Sequence, residues 1–245
     1  MGCAGPVDLK AGLVFRPPNL PGWTRVPLTD HLQRALGLPT ILENDANAAA
    51  LGEFRYGAGK GARSIVYMTV STGIGGGIIL DGKVWHGVKD AAGEIGHITV
   101  CPDGPLCGCG NRGCLEAMSS GPSIARRARE IVASGRQTRL SAIPKPAAAD
   151  VVRLAQEGDA VAAEVWADAV RYLGIGVAAV ITFLAPERVV IGGGVTKAGD
   201  ALFHPLREHV RRHVTLIPVE SVAVLPAALG PDVGILGAAA VALDA

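Results

Sequence analysis

"GHITVCPDGPLCGCGNRGCLE", residues 96–116, decides how this chain is read, because it holds four of the five cysteines. Cys107, Cys109 and Cys114 lie within eight residues, interleaved with Gly108, Gly110 and Gly113. Together with His97 they offer three thiolates and one imidazole, the Cys3His set that structural zinc takes. The C-x-C-x4-C spacing lets a glycine-rich knuckle fold round one ion, with His97 arriving from a preceding strand. Chance free thiols and a redox pair are the other readings, but a C-x-C disulfide is strained and no C-x-x-C occurs. Four protein ligands leave no open position for water, so the implied ion is structural and stiffens a loop. Glu94 and Glu116 flank that loop. From spacing alone two readings fit them: carboxylates that bind a polyhydroxylated ligand, or a surface acid and a helix-start acid. Cys101 and Cys3 fall outside the spacing and read as ordinary residues.

Beyond the knuckle, the composition sets bounds. The chain of 245 residues is long enough for one large domain or two lobes, either with a substantial core. Hydrophobic residues are 49% and aromatics only 4%, so that core is built from Ala, Val, Leu and Ile. A net charge of +1 gives no basic excess, which argues against nucleic acid as a partner. The runs Arg126-Arg127 and Arg211-Arg212-His213 read as solvated helix faces. "MGCAGPVDLKAG" lacks the apolar core of a secretory signal. "LGIGVAAVITFLAP", from Leu173, is too short to span a bilayer and ends at Pro186, so it reads as a buried helix. The expectation is a cytoplasmic protein with reduced thiols and no membrane partner.

Three further stations carry chemistry. "LPTILENDANAAALGEFRYG" reads as a short strand, Thr40 to Leu42, passing into an Ala-rich helix from about Ala46 to Tyr56. Glu43, Asn44 and Asp45 sit at the junction, where ligands collect in open α/β sheets. Asp45 reads equally as a general base taking a proton from a hydroxyl and as the helix N-cap, with Asn44 able to cap in its place. "SIVYMTVSTGIGGGIILDGKVWHG" reads as strand Ser64 to Val70, glycine turn, strand Ile78 to Leu80, and a tight Asp81-Gly82 hairpin. Its Thr-Gly turn is a phosphate-cradling backbone nest or a plain bend. "PERVVIGGGVTKAGDALFHPLREHVRRHV" reads as strand, triple glycine, helix, the order in which a backbone approaches a nucleotide. Neither glycine run completes a dinucleotide or Walker A motif. Together they suggest a nucleotide clamped between two lobes.

The remainder reads as scaffold. Val161, Val165, Ala169 and Leu173 form a helical core stripe. "RQTRLSAIPKPAAAD" reads as a long surface loop, and "GPDVGILGAAAVALDA" as a small-residue helix packed tightly on a neighbour.

In order and spacing, "LENDANAAALGE", "STGIGGG", "GEIGH", "CGCGNRGCLEA" and "VVIGGGV" resemble the ROK family of sugar kinases and repressors, most nearly its bacterial glucokinase branch. The resemblance runs from about Gly5 to the C-terminus. It implies an α/β fold of the two-lobed actin-like ATPase (ribonuclease H-like) class, closing on a sugar and ATP. Residues 1–48 would be a small N-terminal lobe, incomplete at its start and completed by a helix over 230–245. Residues 49–229 would be the large lobe carrying the zinc loop.

By the same resemblance Asp45 is the base that deprotonates the sugar's 6-hydroxyl. Asn44, Glu94, His97 and Glu116 are sugar ligands, and His97 also binds zinc with Cys107, Cys109 and Cys114. Thr72 and Gly73 form a second phosphate loop, and Gly193 and Gly194 the turn beside adenosine. The implied cofactors are structural Zn2+ and Mg2+ with ATP, and the implied state is a homo-oligomer, dimer or tetramer. The implied activity is phosphorylation of glucose to glucose 6-phosphate. Other hexoses (N-acetylmannosamine, N-acetylglucosamine, fructose) and a non-catalytic sugar-sensing regulator share the same sugar-side residues. Family kinases also open with an Asp-x-Gly-Gly-Thr-Lys-type loop. "MGCAGPVD" instead resembles a point inside the small lobe.

Overall fold

The computed structural model describes residues 1–15 and 20–244; residues 16–19 and 245, which fall in segments expected to belong to the first lobe, lie outside the described residues. In chain order the elements are β1 (Gly2–Cys3), β2 (Val7–Asp8), β3 (Leu13–Val14), β4 (Val26–Pro27), α1 (Leu28–Leu36), β5 (Glu43–Asn44), α2 (Asp45–Tyr56), β6 (Ile65–Val70), β7 (Ile74–Leu80) and β8 (Lys83–Val84). They continue with α3 (Leu115–Ser119), α4 (Gly121–Ala133), α5 (Ala148–Gln156), α6 (Ala160–Leu184), β9 (Arg188–Gly192), α7 (Asp200–His213), β10 (Ala223–Pro226) and α8 (Val233–Leu243). A five-stranded sheet has the order β10-β9-β6-β7-β8.

Two compact units divide the chain: Met1–Met68 with Gly76–Glu94 and everything from Ala227 on, and Thr69–Gly75 with Ile95–Pro226. The boundary expected after residue 48 would cut α2, which runs unbroken from Asp45 to Tyr56 within the first unit. The reason lies in packing, because α2 is covered by α8. A Cβ on Gly237 of α8 would stand 2.2 Å from the Ala48 carbonyl oxygen, so only glycine lets the two backbones approach this closely. This is the tight neighbour expected for the terminal small-residue helix.

In the first unit, β1 pairs in parallel with β5, Gly2 opposite Glu43 and Cys3 opposite Asn44. The strand expected at Thr40 to Leu42 therefore begins later. Leu42 instead turns into an apolar cluster with Cys3, Val7, Val14 and Leu28. β7 starts at Ile74 rather than Ile78, because the bare glycines let α2 lie against it: a Cβ on Gly77 would be 2.6 Å from Ala50 Cβ. Asp81 and Gly82 both take positive φ, 46° and 78°, in the two-residue hairpin expected there.

In the second unit, α6 packs against α3, α5 and α7. The expected stripe of Val161, Val165, Ala169 and Leu173 is buried. By length and composition this 25-residue helix is able to cross a membrane, but half of its most apolar window is buried in the protein. Asp159 caps it, accepting from Val161 and Ala162 N–H at 3.0 and 2.9 Å. The same carboxylate accepts from Arg139 N–H and the Thr138 hydroxyl. The segment expected as one long surface loop is thereby ordered into a 3-10 turn, Arg139–Ala142, with Leu140 fully buried, and α5 follows from Ala148. The basic runs keep to helix surfaces: Arg126 pairs with Glu130 at 2.7 Å and Arg127 with Asp168.

Candidate active site

The β5–α2 junction belongs to the first unit. Asn44 is extended (φ −63°, ψ 142°), and its side-chain oxygen accepts from Ala46 and Asn47 N–H at 2.9 and 3.2 Å. The capping role thus falls to Asn44. Asp45 becomes the first helical residue, with its carboxylate accessible to solvent. Desolvation by the surrounding protein raises its pKa above the ordinary carboxylate value, opposed by the Ala46 N–H, which bonds Asp45 Oδ1 at 2.9 Å. A carboxylate freed from capping, accessible and raised in basicity is suited to take a proton. Glu94 ends the 76–94 segment of the same unit and is exposed.

The cysteine knuckle belongs to the second unit. His97 closes a 3-10 turn, Ile95–His97, rather than the strand expected. The chain returns along it, with Leu115 N–H donating to Ile98 O at 2.9 Å and Thr99 bridged to Cys114. Between them Cys107 N–H donates to Asn111 O and Gly110 N–H to Cys107 O, closing a tight loop. This brings the ligand atoms of His97, Cys107, Cys109 and Cys114 within 4.8 Å of one another. Cys109 Sγ and Cys114 Sγ are 3.7 Å apart, as are Cys107 Sγ and His97 Nδ1. Sulfur ligands at about 2.3 Å and nitrogen at about 2.0 Å place tetrahedral corners about 3.5–3.8 Å apart, so the set fits a metal ion of that kind. Burial raises the Cys107 thiol and pushes Cys114 up to about 12, while the Asn111 N–H lowers Cys109. Three thiols held this close give up their protons together only to a bound cation.

Glu116 stands in the first turn of α3, two residues after Cys114. Its Oε2 accepts Ile74 N–H at 2.8 Å, and its Oε1 lies 3.9 Å from Cys107 Sγ. The knuckle and the Thr72-Gly73 turn therefore meet at one carboxylate. A Cβ at position 73 would stand 2.5 Å from Glu116 Oε2 and push that carboxylate aside. Thr72 is exposed at the turn and lines a cavity of about 590 Å3 together with Gly194. Its walls include Ala148, Val152, Trp166, Val195 and, as cations, Arg153 and Lys197. Gly193 directly precedes Gly194 at the start of a 3-10 turn, with φ 92°.

The sequence reading missed three things. Glu53 is fully buried in α2 and accepts from Ala58, Ala228 and Leu229 N–H at 2.8, 3.1 and 2.8 Å, tying the post-β10 chain to α2. Glu43 is buried against His86. Trp166 faces the cavity from a helix read only as core. Each is a pairing across long sequence separation, for which local spacing holds no signal.

Residues 1–245, the whole chain, match the ROK family, and the chain belongs to it. A glucokinase of Halalkalibacterium halodurans is 40% identical over 242 residues, covering 97% of this chain and 73% of that protein. A glucokinase of Thermotoga maritima is 41% identical over 245 residues, covering 98% of this chain and 77% of the relative. Among solved structures, a ROK hexokinase from Thermus thermophilus superposes with a TM-score of 0.85 at 42% identity, over 98% of this chain and 76% of that one. A ROK glucokinase from Streptomyces griseus, in complex with glucose and AMPPNP, gives 0.84 at 36% identity, over 100% of this chain and 80% of that one. A ROK family transcriptional regulator gives 0.88 at 29% identity, over 97% of this chain and 60% of that one. The fold is therefore the actin-like ATPase α/β fold of the ROK sugar kinases.

Proposed function

We propose that this chain is an ATP-dependent hexose kinase that converts glucose to glucose 6-phosphate. The observation that carries the reading is Asp45, a solvent-accessible carboxylate relieved of capping by Asn44, in a chain 40% identical to a glucokinase. In the reaction, Asp45 accepts the proton of the sugar's 6-hydroxyl as that oxygen attacks the γ-phosphorus, whose bond to the bridging oxygen breaks to release ADP. Asn44, Glu94, His97 and Glu116 hold the other hydroxyls. Positioning supplies most of the catalysis, since phosphoryl transfer asks little covalent chemistry of the protein. The amides of the Thr72-Gly73 turn face the phosphates. His97, Cys107, Cys109 and Cys114 hold a structural zinc, which fixes the loop carrying Glu116. Mg2+ enters with ATP as part of the substrate and neutralises phosphate charge.

The 590 Å3 cavity favours a nucleotide donor over polyphosphate. Alanine, valine and tryptophan walls suit a base and ribose, whereas a polyanion calls for a row of cations and finds Arg153 and Lys197. The protein is further read as a cytoplasmic homo-oligomer. A coupled assay across glucose, fructose, N-acetylglucosamine and N-acetylmannosamine, with ATP or polyphosphate as donor, tests the reading; glucose with ATP is expected to give the highest kcat/KM. The similarity to a ROK regulator favours one alternative, a sugar sensor. Glucose binding by calorimetry without turnover under any donor would select it.

A further inference from the structure

Glu43 is 6% exposed, and its carboxylate has three partners, all within the first unit. Oε1 accepts from Asn44 N–H at 2.8 Å and from the Asn47 side-chain amide at 3.0 Å. Oε2 lies 2.8 Å from His86 Nε2. Two of these partners belong to the junction that carries Asp45. The third does not: His86 is 43 residues further along, just beyond β8. From His86 the chain closes a loop, with Ala92 N–H donating to His86 O at 2.9 Å, and Glu94 follows two residues later. Within the loop Lys89 and Asp90 take φ of 54° and 57°, a conformation that non-glycine residues keep only where their surroundings enforce it. Asp90 supplies part of that enforcement by accepting Leu9 N–H at 3.0 Å.

A purely stabilising role fits this arrangement poorly. Buried ionic and polar groups are weak stabilisers, and this cluster leaves Asn47 Oδ1 buried with no partner. Asn47 is spent on geometry: its amide braces Glu43 from the first turn of α2.

We propose that Glu43 and His86 are positioning residues that strap the Asp45-bearing junction to the loop delivering Glu94, so that the proton acceptor and a sugar ligand keep a fixed register. The proposal rests on the kinase reading above. Its test compares His86→Ala, His86→Gln and Glu43→Gln with the wild-type full chain. Glutamine at 86 can place an amide N–H near the position of Nε2, so it restores the strap where alanine cannot.

For His86→Ala, glucose affinity by calorimetry and kcat each fall about tenfold or more, the scale of loss that misplaced groups produce. The KM for ATP stays at the wild-type value, and His86→Gln recovers most of the loss. A role in stability alone would lower Tm and leave both kinetic constants of the folded enzyme untouched. His86→Ala with wild-type glucose KM and kcat, at a temperature where it is folded, overturns the proposal. Should His86→Ala not fold, Glu43→Gln decides: a raised glucose KM supports the strap, and an unchanged one overturns it. A wild-type chain that neither binds nor phosphorylates glucose overturns the kinase reading, and the strap with it.

Discussion

The knuckle of residues 97–116 and the junction of residues 43–47 each hold an acidic side chain at the end of a short helix or strand, by opposite means. The knuckle gathers four ligand atoms within 4.8 Å on glycine turns, an arrangement with the spacing of a metal site. The junction uses only hydrogen bonds, shared among Glu43, Asn44, Asn47 and His86. A metal-locked loop fails as a whole when one ligand goes. A hydrogen-bonded junction fails by degrees, and the Asp45 carboxylate is separable from its scaffold.

That contrast can be broken most directly at Asp45. Asp45→Asn is expected to lower kcat at least about a hundredfold, the usual worth of a general base, with Tm unchanged; steady-state kinetics and a melting curve read both. Next comes the knuckle. Wild type is expected to carry one zinc per chain by elemental analysis and Cys114→Ser none, with a loss of about 4 kcal/mol, or about 10 °C in Tm. A Cys114→Ser variant that melts with wild type would erase the distinction between the two regions. Gly237→Ala sharpens it from beneath, since the new Cβ would press on the Ala48 carbonyl at 2.2 Å. Overpacking there is expected to cost about 2 kcal/mol by denaturant titration, and to slow the enzyme by shifting α2.

The smallest effects are those of pH, and two aspartates set opposite signs. Asp45 is raised by desolvation, so its inert protonated form persists to higher pH; the acid limb of kcat/KM should have its midpoint above the ordinary value of about 3.9. Asp159 is also pushed up by desolvation, but the N–H groups of Ala162, Arg139 and Val161 and the Thr138 hydroxyl outweigh that and hold it low. Its contribution is present above the unfolded carboxylate pKa and disappears as pH falls through its own lower value. Asp159→Ala should therefore cost about 1–2 kcal/mol at neutral pH, and progressively less in melts below pH of about 4.

The knuckle was legible because its cysteines and glycines are close in sequence, so spacing alone picked out the four side chains that the fold brings together. The Ala-rich helix and the Asp81-Gly82 hairpin were legible for the same reason, since their signals are local. From spacing alone Asp45 reads as base or cap alike, because Asp and Asn both cap helices; the structure gives the cap to Asn44. The strand shift at Leu42 and the early start of β7 depended on partners, β1 and α2, that no local window contains. His86 and Glu53 answer to residues 43 and 175 positions away, and these pairings were invisible for that reason.

The grip of α8 on α2 has a consequence for how the molecule is made. Every residue of the second unit is synthesised before Gly237, so on the ribosome that unit can complete its own core first. Ala48 and Gly52 then wait with a bare face until α8 emerges. The helix headed by Asp45 thus gains its backing only after the second unit has been made.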